Sequence, residues 1–429
     1  MHCRRYSTAG GLCSMRPEMS LLPCSTYYPR RARTWHGWAP DTAMRATEAT
    51  AGEALLIVGA GVAGLSLAVA LGRAGIDVTV IDGASRPQTP ADGRDIKDWD
   101  LRVSALTPAS VAFLEDLGAW SQIPENRKAC YTGMQVWDAQ GSGRIDFNAR
   151  DLQAPSLGHI VENRLTLQAL LTCAESCPQV EVLWEHGLTA MSFVDSGWET
   201  ECDGGKIFHT SLVVGADGAR SRVRELTAMP VRQWSYDQSA IVGTVALSTH
   251  HLDSCWQAFL DTGPLALLPL ADERKVAMVW SLDDSVHSAI AELTDEAFLR
   301  ALNRALGPEA PTACEVGPRA SFSLRQCHAV DYVERGLVLV ADAAHSIHPL
   351  AGQGINLGLS DVRVLSEHLI AAQTHGLTVA SPALLKRYQR QRKTENLAMM
   401  AAMERFKRGF GSRQPLAVMA RNTGLNWVD

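Results

Sequence analysis

Between Ala54 and Leu71 the chain runs eighteen residues without a charge, ALLIVGAGVAGLSLAVAL. By length alone that stretch would span a membrane. Three glycines argue for a different reading. Gly59, Gly61 and Gly64 stand in GxGxxG spacing directly after the apolar run Leu55–Val58, and a second apolar run, Asp77–Ile81, leads to Asp82. A buried strand, a tight turn, a buried helix and a second strand ending in an acid make a Rossmann-type βαβ unit. There the first glycine makes the turn and the second lets backbone approach a pyrophosphate. The third lets helix and strand pack closely, and Asp82 accepts hydrogen bonds from a ribose.

The pattern then changes several times. Leu106, Val111, Leu114 and Leu117 recur at near-helical spacing, with Pro108 at the first turn and Gly118 at the end, and predict a packing helix. Tyr131–Phe147 alternates around a Gly-Ser-Gly turn and predicts a hairpin. Gly158–Leu171 enters a helix, Val180–Leu183 is a short strand, and Thr189–Val194 with Trp198–Cys202 resembles a second hairpin. Leu212–Arg224, LVVGADGARSRVR, is a strand running into Asp217-Gly218. From Val231 to Ser323 short alternating runs between Gly, Pro and Asp turns predict a largely antiparallel sheet, interrupted by a helix at Thr294–Leu306. Within it Gly263–Pro269 suits one wall of an apolar pocket, but plain core explains it without a ligand.

Gly336–Asp361, GLVLVADAAHSIHPLAGQGINLGLSD, carries the densest chemistry. A strand, Leu337–Ala341, leads to Asp342 and a small-residue turn that exposes His345, His348 and Pro349. Gly352, Gln353 and Gly354 then precede a helix beginning near Ile355 or Asn356. A carboxylate at a strand end accepts hydrogen bonds from a sugar. A glycine-led helix start offers bare N–H groups and a positive dipole end to an anion. Finally, Ser381–Gly411 reads as a long helix, basic at Lys386, Arg387, Arg390, Arg392 and Lys393, with Leu397, Met400, Met403 and Phe406 on one face. It is either a packing helix with a solvated charged face or a contact for a membrane surface or partner.

Composition narrows the field. A chain of 429 residues suggests two to three domains, and 46% hydrophobic with 20% charged residues is ordinary for a globular protein. The net charge of −6 argues against nucleic acid as a partner. Residues 1–50 carry seven arginines against three acids, a net of +4, which leaves about −10 for the remainder. That segment lacks periodicity and the apolar core of a secretory signal. It reads as a disordered extension, or as an upstream start with the working chain beginning at Met44; a mitochondrial-type presequence is the alternative. Ten cysteines without a CxxC pair read as reduced, buried thiols. His345 and His348 have no Cys or further His at ligand spacing, so no metal is expected.

Gly336–Asp361 resembles the second flavin fingerprint of the class A flavoprotein monooxygenases, the para-hydroxybenzoate hydroxylase fold. HPLAGQGINLGLSD is closer still to the ubiquinone-biosynthesis hydroxylases, and IVENR (residues 160–164) resembles their branch proposed to act at ring position C5. LVVGADGARSRVR resembles the family's DG motif, which serves flavin pyrophosphate and nicotinamide cofactor. The resemblance extends from Leu55 to Asp429, with two departures: Asp82 stands where Glu is usual, and Ala341 where Gly is usual.

The resemblance implies an α/β fold. A Rossmann-type FAD-binding domain (53–125, 157–231, 324–380) interleaves with an antiparallel β-sheet substrate domain (126–156, 232–323). An extension (1–52) precedes them and a helical region (381–429) follows. It implies that Gly59, Gly61, Gly64, Asp82, Arg102, Arg164, Asp217, Asp342, Gly352, Gln353, Gly354 and Asn356 hold FAD. Pro349 would lie beside the isoalloxazine, with His348 as a proton relay. FAD reduced by NAD(P)H would take up O2, and a C4a-hydroperoxyflavin would pass one oxygen to a polyprenylated phenol in ubiquinone biosynthesis. Such a substrate implies peripheral membrane contact or a biosynthetic complex, on the cytoplasmic side of the inner membrane, or in the mitochondrial matrix if residues 1–52 are a presequence. Alternatives are a class A hydroxylase for another aromatic and a flavin-binding subunit without turnover. A halogenase would carry WxWxIP, which does not occur.

Overall fold

Leu55–Val58 is an apolar strand with all four side chains buried, as a strand covered on both faces requires. It lies inside a six-stranded sheet. The computed structural model describes residues 55–139, 141, 143–346 and 354–411, with side chains to residue 401. On one side of Leu55–Val58 run Val78–Asp82 and then Val180–Trp184; on the other run Val213–Gly215 and Leu337–Leu339, all parallel. Val333–Glu334 closes the edge as an antiparallel strand. Counted along the chain, the parallel strands stand in the order 3-2-1-4-5. The winding therefore reverses between Leu55–Val58 and Val213–Gly215, where open sheets of this kind bind ligands at their carboxyl ends.

The uncharged stretch resolves into that first strand, a turn and the helix Val62–Arg73. Leu65, Leu67 and Leu71 of this helix share a core with Leu365 and Leu369 of the helix Gly354–Thr374. None of the described helices is long and apolar enough to cross a membrane.

A second sheet has eight strands, in the order His345–Ser346, Ala313–Ala329, Val231–Leu247, Lys275–Asp283, Gly263–Pro269, Ser254–Leu260, Gly133–Asp138 and Arg144–Asn148. The hairpin expected over Tyr131–Phe147 forms, and a parallel pairing of Gly133–Asp138 with Ser254–Leu260 attaches it to this sheet. Two strands are longer than the sequence suggests. Val231–Leu247 begins with seven residues that are mostly exposed, so no alternation marks them. Ala313–Ala329 pairs with it through register shifts that break a simple period-2 pattern. Leu265 and Leu267 are fully buried under the helix Asp295–Leu306, through Phe298 and Leu302, which makes that face of Gly263–Pro269 core.

The helix Pro382–Gly411 departs from the expected apolar stripe. Among its described side chains the buried ones are Leu385, Tyr388, Arg392, Asn396 and Met400, whereas Leu397 is 44% exposed. Spacings of three and four residues place the five on one face, so a cation sits in the buried stripe. Arg392 is thus no part of a solvated basic face, and Lys393 donates to Val330 O. Lys386, Arg387 and Arg390 are exposed. The side chains of Met403 and Phe406 lie outside the described residues.

Candidate active site

Parallel register aligns Leu339 with Gly215, Gly215 with Val58, and Val58 with Ile81. Asp342, Asp217, Gly59 and Asp82 therefore follow the carboxyl ends of four adjacent strands. The three glycines of the first turn have different reasons to be glycine. Gly59 has φ +108°, and a Cβ there would lie 2.5 Å from Ala216 O; a Cβ on Gly64 would lie 1.9 Å from Gly59 O. Both positions are forced by close approach of the protein to itself. Around Gly61 nothing lies within 4 Å of the place a Cβ would take. Gly61 is also the N-cap of Val62–Arg73, with no side chain capping it. Open space thus meets uncapped helix N–H groups, which suits a pyrophosphate.

Asp82 Oδ2 accepts from Ala60 N and Oδ1 from Ala84 N, each at 2.8 Å. The carboxylate thereby braces the glycine turn, and each oxygen retains a lone pair for a sugar hydroxyl. Asp217 Oδ2 accepts from Val223 N at 3.0 Å, whereas its Oδ1 is buried with no hydrogen-bond partner among the described residues. Arg224 joins two of these turns: Nη1 donates to Ala343 O at 2.7 Å and Nη2 to Ala219 O at 2.8 Å. Asp342 is open to solvent, yet surrounding protein pushes its carboxyl pKa up, while His345 and Arg102 pull it down. Arg102 itself is exposed, with its guanidinium carbon 5.7 Å from the centre of the Phe322 ring.

Arg102 and Arg164 share a bracket that the sequence does not announce. Asp100 Oδ1 accepts from Arg102 N at 3.2 Å and Oδ2 from Arg164 N at 3.0 Å. Asp100 N donates in turn to Glu162 Oε1 at 2.6 Å, and Glu162 is paired with Arg127 in full burial. Arg164 Nη2 reaches Glu162 at 3.4 Å, and its Nε is buried without a hydrogen-bond partner among the described residues.

The second glycine-rich stretch is described in part. Gly354 begins its helix, with nothing within 4 Å of a Cβ placed there. Asn356 is engaged with protein: Oδ1 accepts from Thr107 N at 3.0 Å and Ser110 Oγ at 2.7 Å, and Nδ2 donates to Ala105 O at 2.8 Å. It staples this helix to the Val103–Leu106 strand. His348, Pro349, Gly352 and Gln353 lie outside the described residues.

His345 corrects an expectation. The sequence reading places it at the surface; it is 2% exposed, with Nε2 2.5 Å from Asp361 Oδ2. Asp361 is fully buried and needs partners. It also accepts from Ala341 N at 3.0 Å, Arg392 Nε at 2.7 Å and Asn396 Nδ2 at 3.1 Å. Burial pushes its pKa up, but His345 and Arg392 outweigh that and hold it at about 2. Ala341, where the related pattern has Gly, takes φ +52°.

The open cradle at Gly61, the unpaired Asp217 oxygen and the row of strand-end acids fit FAD, a dinucleotide with two sugars and a pyrophosphate. Residues 53–403 match the family described as FAD binding domain. The 3-demethoxyubiquinol 3-hydroxylase of Escherichia coli (strain K12) is 37% identical over 376 residues, 86% of this chain and 93% of that protein. The mitochondrial ubiquinone biosynthesis monooxygenase COQ6 of Xenopus tropicalis is 33% identical over 418 residues, 86% of this chain and 89% of its own. In fold, the p-nitrophenol 4-monooxygenase PnpA of Pseudomonas putida DLL-E4 superposes with a TM-score of 0.72 at 20% identity, covering 88% of this chain and 93% of that one. The chain therefore belongs to the FAD-binding-domain family, among the FAD-dependent monooxygenases of the ubiquinone-biosynthesis hydroxylase type.

Proposed function

We propose that this protein hydroxylates the ring of a polyprenylated phenol, a ubiquinone precursor, using FAD, NAD(P)H and O2. One observation carries the substrate class: 37% identity along nearly the full length of a 3-demethoxyubiquinol 3-hydroxylase. FAD, once bound, supplies the oxygen chemistry. The chain's own residues bind and orient. Gly61 leaves backbone N–H groups open to the pyrophosphate; Asp82 and Asp342 accept from sugar hydroxyls; Arg102 and Arg164, braced by Asp100, face the flavin. Phe322, 42% exposed beside Arg102, offers an aromatic ring to a planar substrate. Pro349 and His348 are assigned by the resemblance, Pro349 beside the isoalloxazine and His348 as a relay for the phenol proton. His348→Ala with an unchanged hydroxylation pH profile would remove that role. C5 as the ring position rests on the resemblance of IVENR alone, and a product oxygenated at the position that names the 3-demethoxyubiquinol 3-hydroxylase would replace it.

A lipid substrate requires access from a bilayer, and among the described residues no helix spans one. Peripheral docking or membership of a biosynthetic complex therefore belongs to this reading. The test is NAD(P)H oxidation with and without a prenylphenol, with product mass. A gain of one oxygen atom supports the reading; cofactor oxidation that ignores the prenylphenol, with no oxygenated product, rejects it. Flotation with inner-membrane vesicles tests the docking.

A further inference from the structure

The pair Asp361–Arg392 belongs to two helices and reaches the turn that presents Asp342. Asp361 holds both ends of that turn. At its start Oδ2 accepts from Ala341 N, whose left-handed φ of +52° is unfavourable for a residue with a Cβ. At its end the same oxygen meets His345 Nε2. Such a backbone conformation persists only where its surroundings over-determine it. Asp361 does so best as a carboxylate, because protonation turns one of its acceptor sites into a donor. At 0% exposure a lone carboxylate would take up a proton. His345 and Arg392 face that charge together, and Arg392, 1% exposed, brings its guanidinium from the C-terminal helix. Its Nη2 also donates to Asn396 Oδ1 at 2.9 Å, and Asn396 Nδ2 returns to Asp361. A structural role alone would be met more cheaply by apolar residues of the same volume.

We propose that Arg392 is a positioning residue for the flavin site: through Asp361 it fixes the Ala341–His345 turn, so that docking of the C-terminal helix and binding of FAD are one coupled equilibrium. Coupling of this kind is reciprocal. FAD tightens the hold on the helix, and any force that lifts the helix weakens FAD. The proposal requires FAD binding only and is independent of the substrate.

The experiment uses the full chain, stripped of flavin and titrated with FAD, with no phenol present. In the unmodified protein, FAD should slow amide exchange across residues 385–400 at least tenfold more than across Asp295–Leu306, a helix of the other sheet. Arg392→Met should weaken FAD binding about tenfold or more and abolish the extra slowing. Arg390→Met, on the exposed face, should do neither. If FAD slows both helices alike in the unmodified protein, the proposal fails, whether or not any variant folds. It also fails if Arg392→Met lowers the melting temperature but leaves FAD affinity within twofold.

Discussion

A Cβ on Gly358 would stand 2.8 Å from the Cβ of Ala341. The methyl that this chain carries in place of the usual glycine thus stands in the way of a side chain at position 358. Ala in place of Gly inside a helix ordinarily stabilises by roughly 0.5–1 kcal/mol. Here Gly358→Ala should destabilise by about 1–3 kcal/mol. Ala341→Gly relieves the left-handed strain and clears the space, so the double variant should recover most of the loss. Urea unfolding of the four proteins measures the coupling, which should exceed about 0.5 kcal/mol. A stabilising Gly358→Ala would contradict the packing described.

Gly61 and Gly64 should fail in different ways. A Cβ on Gly64 meets Gly59 O at 1.9 Å, so Gly64→Ala should lower the melting temperature of the flavin-free protein. Gly61→Ala enters open space and should leave that temperature unchanged, while weakening FAD at least tenfold, about 1.4 kcal/mol or more. Thermal unfolding and flavin titration on the same preparations separate the two.

Asp100→Ala removes the acceptor for the backbone N–H groups of Arg102 and Arg164. Stability should fall by about 1–2 kcal/mol. FAD affinity should fall about tenfold if both guanidinium groups serve the flavin. An unaltered FAD titration would leave Asp100 with a purely local role and take those two arginines out of the site.

Acid should act through His328. Burial first, then His345, Lys393 and Arg232, push its pKa from 6.5 down to about 4, and Tyr332 Oη lies 3.0 Å from Nε2. Between those values the unfolded chain holds a proton that the folded chain refuses. Its stabilising contribution is therefore complete above pH 6.5 and is lost as pH falls towards 4, at no more than roughly 1.4 kcal/mol per pH unit. His328→Asn should flatten the stability profile between pH 7 and 5 relative to the parent. Parallel profiles would show that other groups control acid sensitivity.

What the sequence makes legible follows from range. GxGxxG after an apolar run, and acids at strand ends, are local patterns, so the βαβ unit and the positions of Asp82, Asp217 and Asp342 at one sheet edge can be anticipated. Asp100 is invisible because its partners are backbone N–H groups, which any residue supplies. Arg392 sits in a run of exposed cations, and only the fold singles it out by burying it beside Asp361. His345 misleads because a histidine among small residues near a turn looks accessible, and the carboxylate that draws it inward lies sixteen residues away. The exposed start of Val231–Leu247 misleads for the converse reason, since polar and apolar residues alike, Val231 and Trp234 among them, are exposed there and leave no alternation to read.

The parallel sheet draws its first strand from residue 55 and its fifth from residue 337. On the ribosome, Val213–Gly215 must wait as an unpaired edge until Leu337–Leu339 emerges, after the whole of Val231–Ala329 has been made. A nascent chain in that interval has a ready template for mispairing. Asp342 follows that last parallel strand, so the row of acids along the carboxyl edge is complete only when the final strand has paired, and the edge is a late product of folding.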